Sequence, residues 1–416
     1  MEEARAVWSA EASMTVAPMI KRDCRHFPGD RPCEFHKRNL VACENCSDYS
    51  PRGTAILMIK LDALGDVLRT TSVLPALRRQ YGPCHITWLT SEAALDLFTG
   101  NGLVDRVIST SDDYLAALLS RTFDVVINPD ASPRSCEIAT LPRARAGFGY
   151  RLGPEGAAIA LNRAADRWLE MGGSDLLKRA NTRSYQSILH EICDVDPAGQ
   201  HIVLGLTPAE AAARNVLAGE IGIDPRRPVV GLNTGAGARW RHKKWRAEGF
   251  VELIEMILDG SRAQVVLLGG ELENERNTLI KSAFGHRVRN PASKGIRSLV
   301  RMVDLCDTVV TGDTLALHVA LGLGKRVVAL FGPTSAAEID MYGLGAKIVS
   351  PVDCVCCYLS DCDRQPGCMD LIDAATVYRH LEEQMKIAAA GGGMQNRAGE
   401  SDERAREDAC LVGEPA

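Results

Sequence analysis

The chain has 416 residues, of which 46% are hydrophobic and 24% charged, and its formal net charge is −5. This length is more than one ordinary domain needs and suits two, each with its own core. The acidic balance excludes a general attraction to nucleic acid, and no apolar run approaches the roughly 20 residues that span a bilayer. With no secretory signal in the first twenty residues, a cytoplasmic location is expected.

The fourteen cysteines are clustered, with four in 24–46 and five in 354–368. In a reducing compartment, such clusters indicate metal or iron–sulfur ligation more often than disulfides. Residues 1–50 are therefore predicted to be a flexible start followed by a metal-binding extension, too small for a hydrophobic core. A structural zinc ion or iron–sulfur cluster is favoured there over free or redox thiols. The predicted ligands are Cys24, Cys33, Cys43 and Cys46, with His36 spare.

From Thr54 an alternating rhythm of strands and helices begins. Short apolar strands that alternate with helices predict a parallel sheet covered on both faces. The first domain is placed at 51–205. Its strands are predicted at 55–61, 85–90, 106–109, 123–128 and, less clearly, 144–150, with one helix at 67–79.

A second series follows a connection near 195–227 and defines a second domain at 206–350. Two such series predict an α/β fold of two doubly wound domains, with ligands at the carboxyl ends of the strands. A cysteine-rich segment and closing helix (351–388) and a disordered tail (389–416) end the chain. Strands are predicted at 229–233, 264–268, 308–311, 326–331 and 346–349, and helices at 247–258, 274–284, 295–305 and 315–323.

Gly65-Asp66 lies where the first strand turns into a helix. Asp66 has two interpretations: a helix N-cap, or the general base of a transferase that deprotonates an acceptor hydroxyl. Asp62, four residues earlier, is the competing carboxylate. Lys60 and Arg69 flank the loop and could face an anionic acceptor, but ordinary solvated charge is the favoured interpretation of each alone.

Two further segments could bind an anion at strand ends. Six of the eight residues in 239–246 are basic, and glycines beside the preceding strand allow a close backbone approach. Fixed positive charge at a helix start suits a diphosphate, whereas a short isolated run in an acidic protein does not indicate nucleic acid. The backbone amides after Asp313 favour the same ligand, with a capped helix packed around His318 as the alternative. Glu271 and Glu273 follow another strand, and from the residues alone either could be an acid in the first turn of a helix.

Four stretches, 58–75, 235–245, 309–333 and 354–369, together resemble glycosyltransferase family 9, the ADP-heptose:lipopolysaccharide heptosyltransferases. The resemblance covers 54–381 and implies the GT-B fold, in which two Rossmann-like domains face a cleft. It implies that Asp66 is the base and that Lys243, two residues before a tryptophan, contacts the diphosphate. Leu315 departs from the family, which commonly has glycine there. The other implied donor contacts are Thr234 and Arg239 (weaker), Glu271 or Glu273, Asp313, Thr314 and His318.

The resemblance further implies an inverting glycosyltransferase that moves a heptose from an ADP-sugar to a lipid-linked saccharide at the inner membrane face. No metal or other cofactor is expected in the chemistry. The closing helix should cross back to the first domain, which would bring the two cysteine clusters together. Two alternatives stay open: a nucleotide-sugar epimerase of the same fold, and a non-catalytic metal-binding protein on a transferase scaffold.

Overall fold

The computed structural model describes residues 20–199, 201–237, 241–291, 293–359 and 362–390. The expected flexible start, most of the expected tail and the weaker candidate Arg239 lie outside these residues.

The first half is built on a six-stranded sheet, called sheet 1, with strand order β3-β2-β1-β4-β5-β6. All neighbours pair in parallel except β5 and β6, which are antiparallel. The strands are β1 Thr54–Ile59, β2 Cys84–Thr90, β3 Arg106–Ser109, β4 Thr122–Asn128, β5 Arg143–Leu152 and β6 Ala158–Ala160. The helices of this half are α1 Glu34–Asn39, α2 Leu64–Thr70, α3 Leu74–Tyr81, α4 Tyr114–Leu119, α5 Pro133–Thr140, α6 Arg163–Gly172, α7 Asp175–Ala180 and α8 Tyr185–Ile192.

The second half is built on an all-parallel sheet, sheet 2, with strand order β12-β11-β10-β7-β8-β9. Its strands are β7 Val229–Asn233, β8 Gln264–Leu268, β9 Val288–Arg289, β10 Thr308–Gly312, β11 Arg326–Phe331 and β12 Gly345–Val349. The helices are α9 Pro208–Glu220, α10 Ala247–Gly260, α11 Asn274–Ser282, α12 Gly295–Asp304, α13 Leu315–Gly322 and α14 Ala374–Ala390.

When the strands are numbered within each half, both sheets have the Rossmann strand order 3-2-1-4-5-6. In each of them the first strand of the half lies beside the fourth. Chains wound this way leave a crevice at the carboxyl ends of the first and fourth strands. In sheet 1 these are β1 and β4, and in sheet 2 they are β7 and β10. Two doubly wound parallel-sheet halves confirm the predicted fold class.

The helix predicted at 67–79 is broken into two. α2 ends at Thr70, a 3₁₀ turn covers Thr71–Val73, and α3 begins at Leu74 with Pro75 in its first turn. Proline suits a helix start because its missing N–H needs no partner there, but it disrupts a helix interior. The apolar periodicity continues through the break, so spacing alone could not reveal it.

The amino-terminal block, 20–52, docks at the amino edge of sheet 1. Cys24 forms an isolated antiparallel bridge with Pro51. Arg25 donates to the carbonyl of Cys84, at the start of β2, over 3.1 Å, and forms an ion pair with Asp105 over 3.5 Å. The block is therefore attached to the edge opposite the carboxyl ends, where ligands are expected.

The closing helix α14 packs on α10, β10 and β11 of the second half, so the expected crossing back to the first domain is wrong. It also extends to Ala390, two residues into the expected tail. The second cysteine segment follows the carboxyl edge of sheet 2, where Cys356 N donates to Gly332 O over 3.1 Å. The two cysteine clusters are thus at different edges of different sheets, and the expectation that they meet is wrong.

The chain passes from the first half to the second between residues 194 and 207. Gln80 still donates to the carbonyl of Asp194 over 2.9 Å, whereas Ile202 packs against Gly322 of α13. Since α9 to α14 then complete the second half, the described chain crosses between halves once. None of the described helices is long and apolar enough to cross a membrane.

Candidate functional site

A cavity of about 730 Å³ lies between the carboxyl edges of the two sheets. Residues 63–66 and Arg69, after β1, line it from the first half. From the second half it is lined by residues that follow β7, β8, β10 and β11, and by the start of α12. The strand ends that the fold predicts as a ligand site therefore form a single cavity.

Asp66 lies in the first turn of α2, faces this cavity and has a side chain 38% exposed. Its Oδ1 lies 2.8 Å from Arg69 Nη2. Burial alone would raise the pKa of Asp66, but the charges of Arg69 and Lys60 outweigh it and lower the pKa. The carboxylate is thus ionised at neutral pH. Asp62, the competing carboxylate, is exposed and does not line the cavity.

Lys60 and Arg69 are not solvated charges, so that interpretation is wrong. Lys60 is 5% exposed, and its Nζ lies 3.1 Å from Asp130 Oδ2, just beyond the end of β4. The guanidinium of Arg69 lies 3.8 Å from the centroid of the Tyr185 ring. The pairing of β1 with β4 brings Asp130 to Lys60, and α8 brings Tyr185 to Arg69. Both cations are therefore held by tertiary contacts beside Asp66.

Asp313, at the end of β10, is the centre of the facing wall. Its Oδ2 lies 2.8 Å from Lys243 Nζ and accepts a hydrogen bond of 2.8 Å from Thr334. Burial opposes ionisation, yet Lys243 and His318 lower the pKa of Asp313 to about 2. His318 Nε2 lies 4.0 Å from Asp313 Oδ1. Burial and the charge of Arg69 lower the pKa of His318 to about 4, so its imidazole is neutral at pH 7.

Thr314 precedes α13, and its Oγ1 accepts a hydrogen bond of 3.1 Å from Asn233 Nδ2. Asn233 also donates to Thr311 Oγ1 over 3.0 Å and to Gly235 O over 3.1 Å. This amide fixes the loops after β7 and β10 to each other. The sequence analysis did not identify Asn233, although a polar residue that ends a buried strand is a usable signal. Leu315 lines the cavity as well.

Glu273, and not Glu271, lines the cavity; it is buried, and its Oε2 accepts from Gly270 N over 3.0 Å. The other oxygen, Oε1, has no hydrogen-bond partner among the described residues. Gly235 packs against it, since a Cβ there would lie 2.2 Å from Oε1. Thr234 is different: its hydroxyl donates to Asn277, and the residue is not part of the cavity wall. The structure therefore does not support a side-chain contact from Thr234 to a ligand in the cavity.

The two halves touch across the cavity. A Cβ on Gly65 would lie 2.8 Å from His318 Cδ2, so α2 approaches α13 as closely as glycine allows. The backbone N–H of Tyr185 donates to the carbonyl of Glu338 over 2.9 Å. These contacts bring Asp66, from the first half, beside Lys243, Asp313, Thr314 and His318, from the second.

The expected metal ligands are not gathered in this way. Cys24, Cys33, Cys43 and Cys46 are free thiols, and no three cysteine, histidine, aspartate or glutamate residues of the described chain are grouped so that they could hold a metal ion. The arrangement of the described cysteines therefore does not fit a zinc ion or iron–sulfur cluster. Metal at Cys24, Cys33, Cys43 and Cys46 stays a prediction.

Comparison with known proteins identifies a family. The model of "Glycosyltransferase family 9 (heptosyltransferase)" matches residues 114–362, more than half of the chain. Lipopolysaccharide heptosyltransferase 2 of Salmonella typhimurium is 28% identical over 127 residues, a match that covers 29% of this chain and 36% of that protein. Lipooligosaccharide heptosyltransferase 2 of Haemophilus influenzae is 25% identical over 315 residues, covering 67% of this chain and 84% of that protein.

Solved structures share the fold. A family 9 glycosyl transferase of Veillonella parvula gives a TM-score of 0.65 at 18% identity, over 80% of this chain and 97% of that one. The ADP-heptose lipopolysaccharide heptosyltransferase II of Escherichia coli gives 0.59 at 19% identity, over 81% of this chain and 100% of that one. The two-domain arrangement with a central cleft is thus the GT-B fold.

Proposed function

Because the chain belongs to glycosyltransferase family 9, we propose that it is an inverting glycosyltransferase. The donor is a nucleoside-diphosphate sugar, ADP-heptose or a close relative, and the acceptor is a hydroxyl of a lipid-linked saccharide of the lipopolysaccharide-core type. The names of the similar proteins support these substrates. An acceptor of this kind places the reaction at the cytoplasmic face of the inner membrane.

One observation carries the proposal. An ionised carboxylate from the first half, Asp66, shares a single cavity with the amine of Lys243 and the amino end of α13 from the second half. A single displacement needs both: a base for the incoming alcohol and fixed positive charge for the departing diphosphate.

In the proposed reaction the acceptor oxygen bonds to the anomeric carbon as the bond from that carbon to the diphosphate oxygen breaks. Asp66 takes the hydroxyl proton, and the diphosphate leaves with the bonding electron pair. Attack from the face opposite the leaving group inverts the anomeric centre. Lys243 and the backbone amides at the amino end of α13 stabilise the negative charge that develops on the diphosphate.

Arg69 prepares Asp66 for this role. The ion pair engages Oδ1, which leaves Oδ2 to accept the proton. The stacking of Arg69 on Tyr185 restricts the guanidinium, and so the carboxylate that it holds. His318, neutral at pH 7 because burial lowers its pKa, can donate or accept a hydrogen bond without adding charge.

Replacing Asp66 tests the proposal, with Asp62 as a matched control. Asp66→Asn should lower acceptor-dependent release of nucleoside diphosphate by about 10²- to 10⁴-fold, the usual contribution of a general base. Donor affinity, measured by calorimetry, should change little. Asp62→Asn, in the same loop but outside the cavity, should behave as wild type.

Retained turnover in Asp66→Asn would refute the assignment of the base. Donor consumption without an acceptor, with an isomeric sugar-nucleotide as product, would favour the epimerase alternative. Metal analysis of the purified chain tests the separate prediction at the amino-terminal cysteines. Background metal with freely titratable thiols would dismiss it.

A further inference from the structure

Glu338 lies in the cavity wall and has no role in the reaction described above. It is 9% exposed, in the loop that follows β11. Tyr358 donates a hydrogen bond of 2.9 Å to its Oε1, and the Tyr358 hydroxyl in turn accepts one of 3.2 Å from Ser335 N. Among the described residues, none donates a hydrogen bond to Oε2. One oxygen is thus anchored, and the other is available to a ligand.

The order of the strands shows where along the cavity Glu338 lies. Sheet 2 runs β11-β10-β7-β8, so the loops at its carboxyl edge present Glu338, then Asp313, then Gly235, then Glu273. A nucleoside-diphosphate sugar is a linear molecule with the diphosphate in the middle. If the diphosphate lies at β10 and β7, its two ends lie at β8 and at β11.

The position of the proposed base decides which end is which. Asp66 and Arg69 interact electrostatically with Glu338 as well as with Asp313. Tyr185, which stacks on Arg69, also donates its backbone N–H to the Glu338 carbonyl. The base must act at the anomeric carbon, which joins the sugar to the diphosphate. The sugar therefore lies at the β11 end, and the nucleoside at the β8 end.

We propose that Glu338 recognises the hydroxyl groups of the transferred sugar, with Tyr358 as its positioning residue. This inference rests on the proposed function and adds a specificity-determining residue to it. A carboxylate with one free oxygen accepts strong hydrogen bonds from hydroxyls, and a buried polar group built for a hydroxyl rejects an analogue that lacks it.

The same placement disfavours acidic sugars. Glu338, Asp66 and Asp313 face one part of the cavity, and the cations beside them, Arg69 and Lys243, are already paired with Asp66 and Asp313. A uronic or sialic acid would bring a fourth carboxylate among them, and like charges in a partly buried site repel. A neutral polyhydroxylated sugar, such as a heptose or hexose, is therefore preferred.

The test compares two ligands that differ only by the sugar: ADP and ADP-heptose. Glu338→Gln and Glu338→Ala should bind ADP as wild type does, within about twofold, which also shows that the site is folded. Their kcat/KM for ADP-heptose should fall by about 10-fold and about 100-fold respectively, the range expected for hydrogen bonds to a charged group. KM for the acceptor should not change. Tyr358→Phe should lower kcat/KM for the donor less than Glu338→Ala does.

Deoxy analogues of the donor identify the hydroxyl. With the analogue that lacks the contacted hydroxyl, wild type and Glu338→Ala should have the same kcat/KM. The inference is overturned if Glu338→Ala keeps wild-type kcat/KM for ADP-heptose, if it weakens ADP equally, or if only the KM of the acceptor changes. If Asp66→Asn abolishes transfer in the same assays, such a result leaves the proposed function standing. If wild type neither binds nor turns over a sugar-nucleotide, both proposals fail.

Discussion

Lys243→Met should destabilise the protein in a pH-dependent way, because it removes the cation from a buried carboxylate. Asp313, whose side chain is 15% exposed, would keep its hydrogen bond from Thr334 but lose the amine that lies 2.8 Å away. Methionine preserves most of the apolar length of the lysine side chain. The change therefore tests charge rather than packing.

The magnitude follows from the pKa of Asp313. A pKa of about 2 in the folded protein, against an ordinary value of about 3.9, corresponds to about 2–3 kcal/mol of stability. That stability is fully present above the unfolded pKa and is lost as the pH falls through about 2. Leaving a buried charge without its partner costs about 3–5 kcal/mol. Because Thr334 still donates a hydrogen bond to Asp313, the lower end, about 3 kcal/mol at pH 7.5, is expected.

Urea denaturation followed by tryptophan fluorescence measures this loss at pH 7.5, 6.0 and 4.5. The difference from wild type should shrink as the pH falls, since without Lys243 the pKa of Asp313 rises and that of His318 rises with it. The double variant Lys243→Met/Asp313→Asn removes both charges and should recover most of the stability at pH 7.5. An equal loss at all three pH values, or a double variant no more stable than the single one, would refute the reasoning.

Two further variants probe other contacts. Gly65→Ala places a Cβ 2.8 Å from His318 Cδ2, so α2 must shift by several tenths of an ångström. The rate of transfer should fall by about 10-fold or more, with little change in melting temperature. An unchanged kcat would contradict so close a contact between α2 and α13. Glu210→Gln weakens the two hydrogen bonds of 2.6 Å from Arg297 and should cost about 1.5–3 kcal/mol at pH 7. The difference in stability between wild type and Glu210→Gln should vanish as the pH falls to about 2, the pKa to which Arg297 lowers Glu210. Glu220→Gln, exposed at the end of the same helix, is the control. An equally large loss of stability in Glu220→Gln would refute the contribution of the ion pair.

The buried strands could be predicted from the sequence because parallel strands covered on both faces are continuous apolar runs. The predicted ranges 229–233, 264–268 and 326–331 coincide with β7, β8 and β11. Helices α5 to α8 were not predicted, although the buried residues Tyr185, Ile188, Leu189 and Ile192 of α8 recur at helical spacing and are a usable signal. The path of α14 depends on which half its apolar face fits, and a helix pattern alone does not contain that information.

The residues of the site likewise include some that the sequence predicted and some that it did not. The sequence pointed to Asp66, Lys243 and Asp313 through motifs and strand ends, and the structure brings them to one cavity. Lys60 and Arg69 were interpreted as solvated because their burial depends on Asp130 and Tyr185, distant along the chain.

Glu338 was missed for a related reason. It sits in an irregular loop and carries no motif, and its neighbours Tyr185 and Tyr358 come from other parts of the chain. Such groupings exist only after folding.

The single passage of the chain between the halves makes each of them an uninterrupted stretch of sequence. Acceptor choice and donor choice can therefore be inherited separately, because a recombination near residue 200 exchanges one without cutting the other. The same topology means that the alignment of the halves rests on non-covalent contacts, which include Gly65 against His318, Tyr185 with Glu338, and a hydrophobic core that continues from one half into the other. A hybrid of two relatives would keep its activity only if it preserved these contacts between the halves.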